Sequence, residues 1–150
     1  MIYSTGCEYG IKALVRLAER GAPGQFFLLR ELTDPDDLPI HFVAKVMQAL
    51  VRAEILISAK GRGGGFAMVR PANRITLRDV VAAVDGNERL GRCILGFTEC
   101  DDAHACSQHE DWIEIRGRIE AMWDTTTIQD LVTRNARARR PLPRFRAQRP

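Results

Sequence analysis

The chain has 150 residues and a mass of 16.8 kDa, and its 45% hydrophobic and 27% charged side chains exclude a globally disordered, collagen-like or coiled-coil protein. Its apolar runs are too short to cross a bilayer and no hydrophobic leader precedes Cys7, so we expect a cytoplasmic protein without a membrane partner. The net charge of +3 divides into +3 for residues 1–80, −7 for 81–133 and +7 for 134–150, so the basic front part can attract phosphate while the acidic middle faces away from it.

The first third of the chain predicts three helices. Apolar residues recur at helical spacing over residues 8–20, and Gly21 stands where that helix should end. After a turn, a short helix is expected through Glu31 and Leu32, and a second turn leads to the clearest helix, over residues 39–54. This last helix has one apolar face and, on another face, a polar stripe: His41, Lys45, Gln48 and Arg52.

Two strands are predicted next, over residues 55–60 and 66–70, and they make a β-hairpin with a basic, glycine-rich tip (residues 61–65). The tip is not a nucleotide-binding loop, because no Gly-Lys-Ser/Thr follows and it does not open a helix. Helix, short helix, turn, helix and basic hairpin is the order of a winged helix-turn-helix, whose second helix lies in the DNA major groove.

This order predicts which side chains meet double-stranded DNA. Gln can read adenine edges, Lys and Arg can read guanine or hold phosphate, and an arginine on a wing tip can enter a minor groove. Taken alone, the polar stripe is equally typical of a solvated helix face. The expected DNA contacts are His41, Lys45, Gln48, Arg52, Lys60 and Arg62.

The second half predicts three more segments of structure around an irregular loop. A helix is expected over residues 76–84, where Thr76 and Asp79 form a capping box. A second helix, over 110–124, carries an apolar stripe, and a short third helix follows Thr127; beyond Arg134 the composition predicts disorder. The apolar stripe of the second helix consists of Trp112, Ile115, Ile119 and Met122.

The irregular segment, here called the cysteine loop (residues 87–109), holds three of the four cysteines. These are Cys93, Cys100 and Cys106, and His109 follows the last of them. Thiolates are soft ligands that suit iron–sulfur clusters or zinc, and the absence of a CxxC pair argues against structural zinc. The alternative interpretation is a group of free thiols, and Cys7 is interpreted as a small helix-packing residue.

The chain resembles the Rrf-type winged-helix regulators of bacteria, the family that includes the iron–sulfur sensors IscR and NsrR. The resemblance covers residues 1 to about 135, and its most specific motif is KGRGGGF (residues 60–66), preceded by YGIKAL (9–14) and FVAKVMQALVR (42–52) and followed by ITLRDVVAAVDG (75–86). It implies a mainly α fold with a small β-hairpin wing and a long dimerisation helix that crosses its partner. Trp112, Ile115, Ile119 and Met122 would then lie in a homodimer interface.

The resemblance also implies a cofactor, an iron–sulfur cluster of the 2Fe–2S or 4Fe–4S type on Cys93, Cys100 and Cys106. Six residues separate the first two cysteines where described sensors commonly have five, which leaves the cluster type open. The fourth ligand is expected to be His109. The alternative is Glu8, in the first helix, contributed by the partner subunit.

Together these patterns predict a winged helix-turn-helix domain (1–86), the cysteine loop (87–109), a dimerisation helix region (110–134) and a basic tail (135–150). The expected function is a homodimeric repressor, not an enzyme, that binds a palindromic operator and is switched by a cluster sensing redox, nitric oxide or iron status. Two alternatives stay open: a cluster-free zinc or thiol regulator of the same fold, and a winged-helix protein-interaction module.

Overall fold

A computed structural model describes residues 2–34, 38–88 and 90–138. Within these ranges the chain forms six α-helices and one antiparallel hairpin, which is the mainly helical, winged arrangement that the sequence predicts. No helix there is long and apolar enough to cross a membrane. The elements, in chain order, are α1 (Thr5–Arg20), α2 (Leu29–Thr33), α3 (Ile40–Arg52), β1 (Leu56–Ala59), β2 (Gly65–Met68), α4 (Leu77–Val84), α5 (His109–Thr125) and α6 (Ile128–Ala138).

Helix α1 forms the centre of the molecule and packs against α3, α4 and α6. It begins three residues before the predicted start, because the Ser4 side chain accepts the backbone N–H of Cys7 and so caps the helix. Gly21 ends it as predicted. The core around it is apolar and closed to solvent, with Leu14, Leu17, Leu32, Val43, Met47, Leu50, Ile55 and Ile75 among its members.

Helices α2 and α3 form the helix-turn-helix. The Glu31 carboxylate accepts the Leu28 N–H at the start of α2 and pairs with Arg20 at 3.1 Å, which fixes α2 against the end of α1. Pro39 precedes α3, and its carbonyl accepts the N–H groups of Phe42 and Val43 in the first turn of the helix. The predicted apolar face of α3 is confirmed, because Val43, Val46, Met47 and Leu50 are all buried.

The hairpin pairs Leu56 with Met68 and Ala59 with Gly65. Gly65 has φ of +123°, and a Cβ there would collide with the Phe27 carbonyl, so only glycine fits. The reason for this close approach is a feature that the sequence did not predict. Phe27 and Phe66 exchange two backbone hydrogen bonds of 3.0 and 2.9 Å, which tie the hairpin to the segment before α2.

Two matching capping boxes join α4 to α6. The side chains of Asp79 and Asp130 accept the backbone N–H groups of Thr76 and Thr127, respectively, and the adjoining backbones are bonded to each other. Helix α6 continues to Ala138, so the prediction that order ends after Arg134 is wrong for residues 135–138. The remainder of the basic tail, residues 139–150, lies outside the described residues.

Helix α5 is the longest helix, yet only His109 and Trp123 of its residues are buried. Trp123 packs beside Tyr3 at a ring distance of 5.8 Å, under the guanidinium of Arg78, and Arg78 also pairs with Asp124 at 2.7 Å. The far end of α5 is therefore fixed to α4 through Arg78. Most of the rest of the helix is at least partly accessible to solvent.

Candidate DNA-binding surface and cysteine site

The polar stripe of α3 faces solvent as predicted. His41, Lys45, Gln48 and Arg52 are all exposed, while the opposite face of the same helix is buried in the core. Within the described residues, neither Lys45 nor Arg52 makes an ion pair. The stripe therefore presents two uncommitted positive charges and an amide on one rigid helix, which suits contacts to phosphates and base edges.

The wing tip adds a second exposed basic group. Lys60 and Arg62 are exposed, and neither has an acidic partner in the part of the chain that the structure describes. Gly61 and Gly63 flank Arg62 with φ of +85° and +76°, and the Gly64 N–H closes the turn on the Gly61 carbonyl at 3.1 Å. This compact turn lets Arg62 project beyond the strands.

Other arginines of the same domain are held in the fold. Arg70 donates to Asp79 at 3.2 Å and to the carbonyls of Glu54 and Arg74, and Arg20 is bound to Glu31. By charge alone, the sequence does not distinguish these paired arginines from the other basic residues of the domain. The ion pairs separate the arginines that stabilise the domain from Arg52 and Arg62, which are available for phosphate.

The cysteine loop brings its predicted ligands together as two pairs. The sulfur of Cys93 lies 3.6 Å from that of Cys106, and the sulfur of Cys100 lies 3.8 Å from Nδ1 of His109. Cys93 and His109 are buried, whereas Cys100 and Cys106 are partly exposed. Soft donors thus lie in an irregular segment that solvent can reach.

The His109 ring is oriented by a residue that the sequence did not single out. Its Nε2 lies 3.1 Å from Oδ1 of the exposed Asp102. A proton on Nε2 donated to this carboxylate leaves the Nδ1 lone pair facing Cys100. Metal-ligating histidines commonly have such a carboxylate on the second ring nitrogen. The contact depends on the path of the loop, so sequence spacing alone gives no signal for it.

The surroundings of Cys93 favour its thiolate. Burial raises the pKa of this thiol, but hydrogen bonds from the backbone of Leu95, Phe97 and Gly96 and from Cys106 outweigh that effect and lower the pKa below its ordinary value. Gly96 makes the turn with φ of +84° and donates to the Cys93 carbonyl at 3.0 Å. The loop therefore wraps N–H donors around this sulfur.

The donor pairs fit a cluster better than one metal ion. Ligands of a tetrahedral zinc lie about 3.8 Å apart, given a Zn–S bond of about 2.3 Å, so each pair matches one edge of such a site. In the described ranges, however, no three ligand atoms of Cys93, Cys100, Cys106 and His109 lie within 4.8 Å of one another. One pair of sulfur atoms and one pair of a sulfur and an imidazole nitrogen match in number the ligands of a 2Fe–2S cluster, in which each metal atom takes two protein ligands.

The other candidate residues have different surroundings. Glu8 lies in the first turn of α1, and no hydrogen bond or ion pair joins its carboxylate to the cysteine loop of the same chain within the described residues. The alternative in which the partner subunit contributes Glu8 stays a prediction. Cys7 is fully buried in the core, as predicted for a packing residue. His104 is exposed and contacts the carboxylates of Glu99 and Asp101 at 3.0 and 2.9 Å.

The predicted interface stripe of α5 divides between two environments. Trp112 and Ile119 are half-buried against the core of the same chain, and the Trp112 indole N–H donates to the Arg92 carbonyl at 3.1 Å. Ile115 and Met122 are 49% and 39% exposed. Ile115 and Trp112 also line a shallow groove with Ile94 of the cysteine loop.

A family model described as "Rrf2: Iron-dependent Transcriptional regulator" matches residues 3–134. This chain belongs to the Rrf2 family. It is a DNA-binding, winged-helix transcription regulator, and the family and its relatives are transcriptional regulators rather than enzymes.

Its relatives include regulators with different names. IscR of Sodalis glossinidius (strain morsitans) is 25% identical over 126 residues, which cover 84% of this chain and 75% of IscR. CymR of Bacillus subtilis (strain 168) is 24% identical over 133 residues, 89% of this chain and 91% of CymR.

Two solved structures share the fold of this Rrf2 regulator. That of B. subtilis CymR, titled the global cysteine regulator, has a TM-score of 0.72 at 23% identity and covers 87% of this chain and 95% of CymR. That of T. potens IscR has a TM-score of 0.69 at 20% identity and covers 93% of this chain and 91% of IscR.

Proposed function

We propose that this Rrf2 regulator is a homodimeric repressor whose operator binding is switched by an iron–sulfur cluster on Cys93, Cys100, Cys106 and His109. The observation that carries the proposal is the arrangement of these donors as two pairs, at 3.6 and 3.8 Å, beside the start of α5. The division into pairs favours a 2Fe–2S cluster over a 4Fe–4S cluster. When bound, the cluster supplies a group that responds to oxidants, nitric oxide or iron supply.

The chain's own residues link this site to the rest of the molecule. His109 is the first residue of α5, and its N–H donates to the Cys106 carbonyl at 3.0 Å. On the other side of the loop, Trp112 of α5 holds the Arg92 carbonyl, next to Cys93. A movement of the ligands is therefore transmitted to the first turn of α5.

The same helix is proposed as the dimer contact, through Trp112, Ile115, Ile119 and Met122. The exposure of Ile115 and Met122 supports this, because large apolar side chains on a poorly covered helix favour burial against a partner. A two-fold dimer presents two copies of α3 and the wing, so the operator is a palindrome with half-sites about one helical turn apart. A difference of about 1–3 kcal/mol between the two dimer geometries suffices to switch operator affinity 5- to 150-fold.

The first experiment is an absorption spectrum with iron, sulfide and zinc analysis on protein purified without oxygen. We expect a coloured protein with matched iron and sulfide. The variant Cys100→Ala loses both, as does His109→Ala, whereas His104→Ala keeps them because His104 faces the carboxylates of Glu99 and Asp101. Unchanged colour and unchanged DNA affinity in Cys100→Ala would contradict the proposal.

A second candidate, a cluster-free regulator of the same fold, is favoured by the CymR relatives. The match to B. subtilis CymR covers 91% of that protein, against 75% of S. glossinidius IscR. In that case Cys93, Cys100 and Cys106 act as zinc ligands or thiols. The same metal analysis distinguishes the two candidate functions, because a cluster-free regulator would contain zinc alone or no metal.

A further inference from the structure

Both Cys93 and Cys106 are held against the same end of α5. The backbone before Cys93 is fixed by the hydrogen bond from Trp112 to the Arg92 carbonyl, and the Cys106 carbonyl accepts the His109 N–H. These anchors bring two free thiols, 13 residues apart in the chain, to a sulfur–sulfur distance of 3.6 Å. The sulfur of Cys100 is directed instead to Nδ1 of His109.

We propose that Cys93 and Cys106 form an intramolecular disulfide when the cluster-free protein meets a peroxide, while Cys100 and Cys7 remain thiols. This modification site rests on the geometry of the thiols and does not require that the cluster exists. Joining the sulfurs shortens their distance from 3.6 Å to about 2.0 Å. Both cysteines lie outside helices and strands, so the loop can absorb this movement.

The difference in exposure between the two thiols determines which of them the peroxide oxidises first. Cys106 is partly exposed and meets the peroxide first, forming a sulfenic acid and releasing one water. The buried Cys93 sulfur then attacks the sulfenic sulfur, the S–S bond forms, and a second water leaves with the sulfenic oxygen and the thiol proton. The peroxide gains the two electrons that the two thiols lose.

The probability of loop closure in an unfolded chain favours a different disulfide, so the proposed disulfide can be distinguished from random pairing. Cys100 and Cys106 are six residues apart, against 13 for Cys93 and Cys106. In an unfolded chain, closure of the longer loop is about threefold less frequent than closure of the shorter one. If the Cys93–Cys106 disulfide dominates in the folded protein, it therefore forms because the fold brings these two sulfurs together.

The test is peptide mapping by mass spectrometry of metal-free, full-length protein treated with one equivalent of hydrogen peroxide and then alkylated. We expect a Cys93–Cys106 disulfide, with alkylation retained on Cys100 and Cys7. The same treatment in denaturant should shift the main products to Cys100–Cys106 and Cys93–Cys100, because loops of six and seven residues close about equally often. The variant Cys100→Ser should oxidise as the parent does, and Cys106→Ser should give no intramolecular disulfide.

Three results would overturn the inference: a dominant Cys93–Cys100 or Cys100–Cys106 bond in the folded protein, oxidation to sulfinic acid without a disulfide, or bonds only between chains. Because the two cysteines are also proposed cluster ligands, the disulfide and the cluster exclude each other. That consequence rests on the proposed function. If the protein is colourless but still forms the Cys93–Cys106 bond, the proposed cluster is refuted and the proposed disulfide is supported.

Discussion

Single side chains decide what the cysteine site can hold, and Asp102 is the least obvious of them. Its carboxylate contacts His109 Nε2 at 3.1 Å and so directs Nδ1 towards Cys100. Residue type and family resemblance are enough to predict the four proposed ligands. They do not predict Asp102, because an irregular loop has no periodicity from which a contact across seven residues follows.

We expect Asp102→Ala to weaken retention of the cluster about 10- to 100-fold, because the ring of His109 loses its orienting partner. Asp102→Asn should retain the cluster nearly as well as the parent protein does, because an amide oxygen also accepts a hydrogen bond from Nε2. Cluster loss to a chelator, followed by absorbance, measures this. Glu110→Ala removes one exposed negative charge nearby and should change nothing; equal losses in the two alanine variants would refute the positioning role.

Asp130 predicts a pH dependence. The backbone N–H and hydroxyl of Thr127 donate to this carboxylate and lower its pKa below the ordinary value of an aspartate. Its contribution to stability is therefore complete above about pH 4 and is lost as the pH falls through the lowered pKa of the folded state. Thermal unfolding of Asp130→Asn should show a deficit at pH 7 that shrinks towards pH 3; a deficit independent of pH would contradict this.

At the scale of elements, helix periodicity and capping residues predicted most of the fold. The apolar face of α3 and the Thr76–Asp79 capping box are confirmed. The bridge between Phe27 and Phe66 was not predicted, because it joins segments 39 residues apart. On α5 the predicted apolar stripe does not include Trp123, which is buried because Tyr3 and Arg78 enclose its ring.

The bridge makes the wing sensitive to Gly65. We expect Gly65→Ala to reduce the free energy of unfolding by roughly 2–4 kcal/mol, because the Cβ meets the Phe27 carbonyl and φ is unfavourable. Gly61→Ala should cost only about 1–2 kcal/mol, since a Cβ there meets nothing within 4 Å. Denaturant unfolding compares them. Equal losses would mean that the close approach to Phe27 contributes nothing.

The wing tip also has a predicted electrostatic role. Arg62→Ala should weaken operator binding and reduce the slope of log affinity against log salt by about 1, because one phosphate contact is lost. Arg16→Ala, which removes a cation paired with Glu19 at 3.3 Å, is the matched control and should leave the slope unchanged. An unchanged slope for Arg62→Ala would remove the wing from the DNA contact.

At the scale of the whole molecule, α4 packs against both α3 and α5, so it connects the basic surface of α3 to the helix that follows the cysteine loop. The proposed dimer would carry two copies of this surface. The resemblance implied a dimer. The single chain adds the exposure of Ile115 and Met122, but periodicity could not say which stripe residues face their own core, because that depends on where α4 and the loop lie.

Ile115→Glu should therefore shift the protein from dimer to monomer and weaken operator binding, because a charge replaces an apolar side chain that is 49% exposed in the single chain. Sedimentation equilibrium measures the shift. Val69→Glu is the control, since Val69 is 46% exposed at the base of the wing and lies outside α5. A variant Ile115→Glu that remains dimeric would place the interface elsewhere.

If the cluster switches operator binding, then removal of its iron must change the affinity of the protein for its operator. An operator is first selected from random duplex DNA with the protein purified without oxygen. Its affinity is then measured by fluorescence anisotropy for the same preparation before and after removal of iron. We expect matched iron and sulfide at the start and a change of 5-fold or more in affinity on their removal. Equal affinities of the loaded and stripped dimers would contradict it.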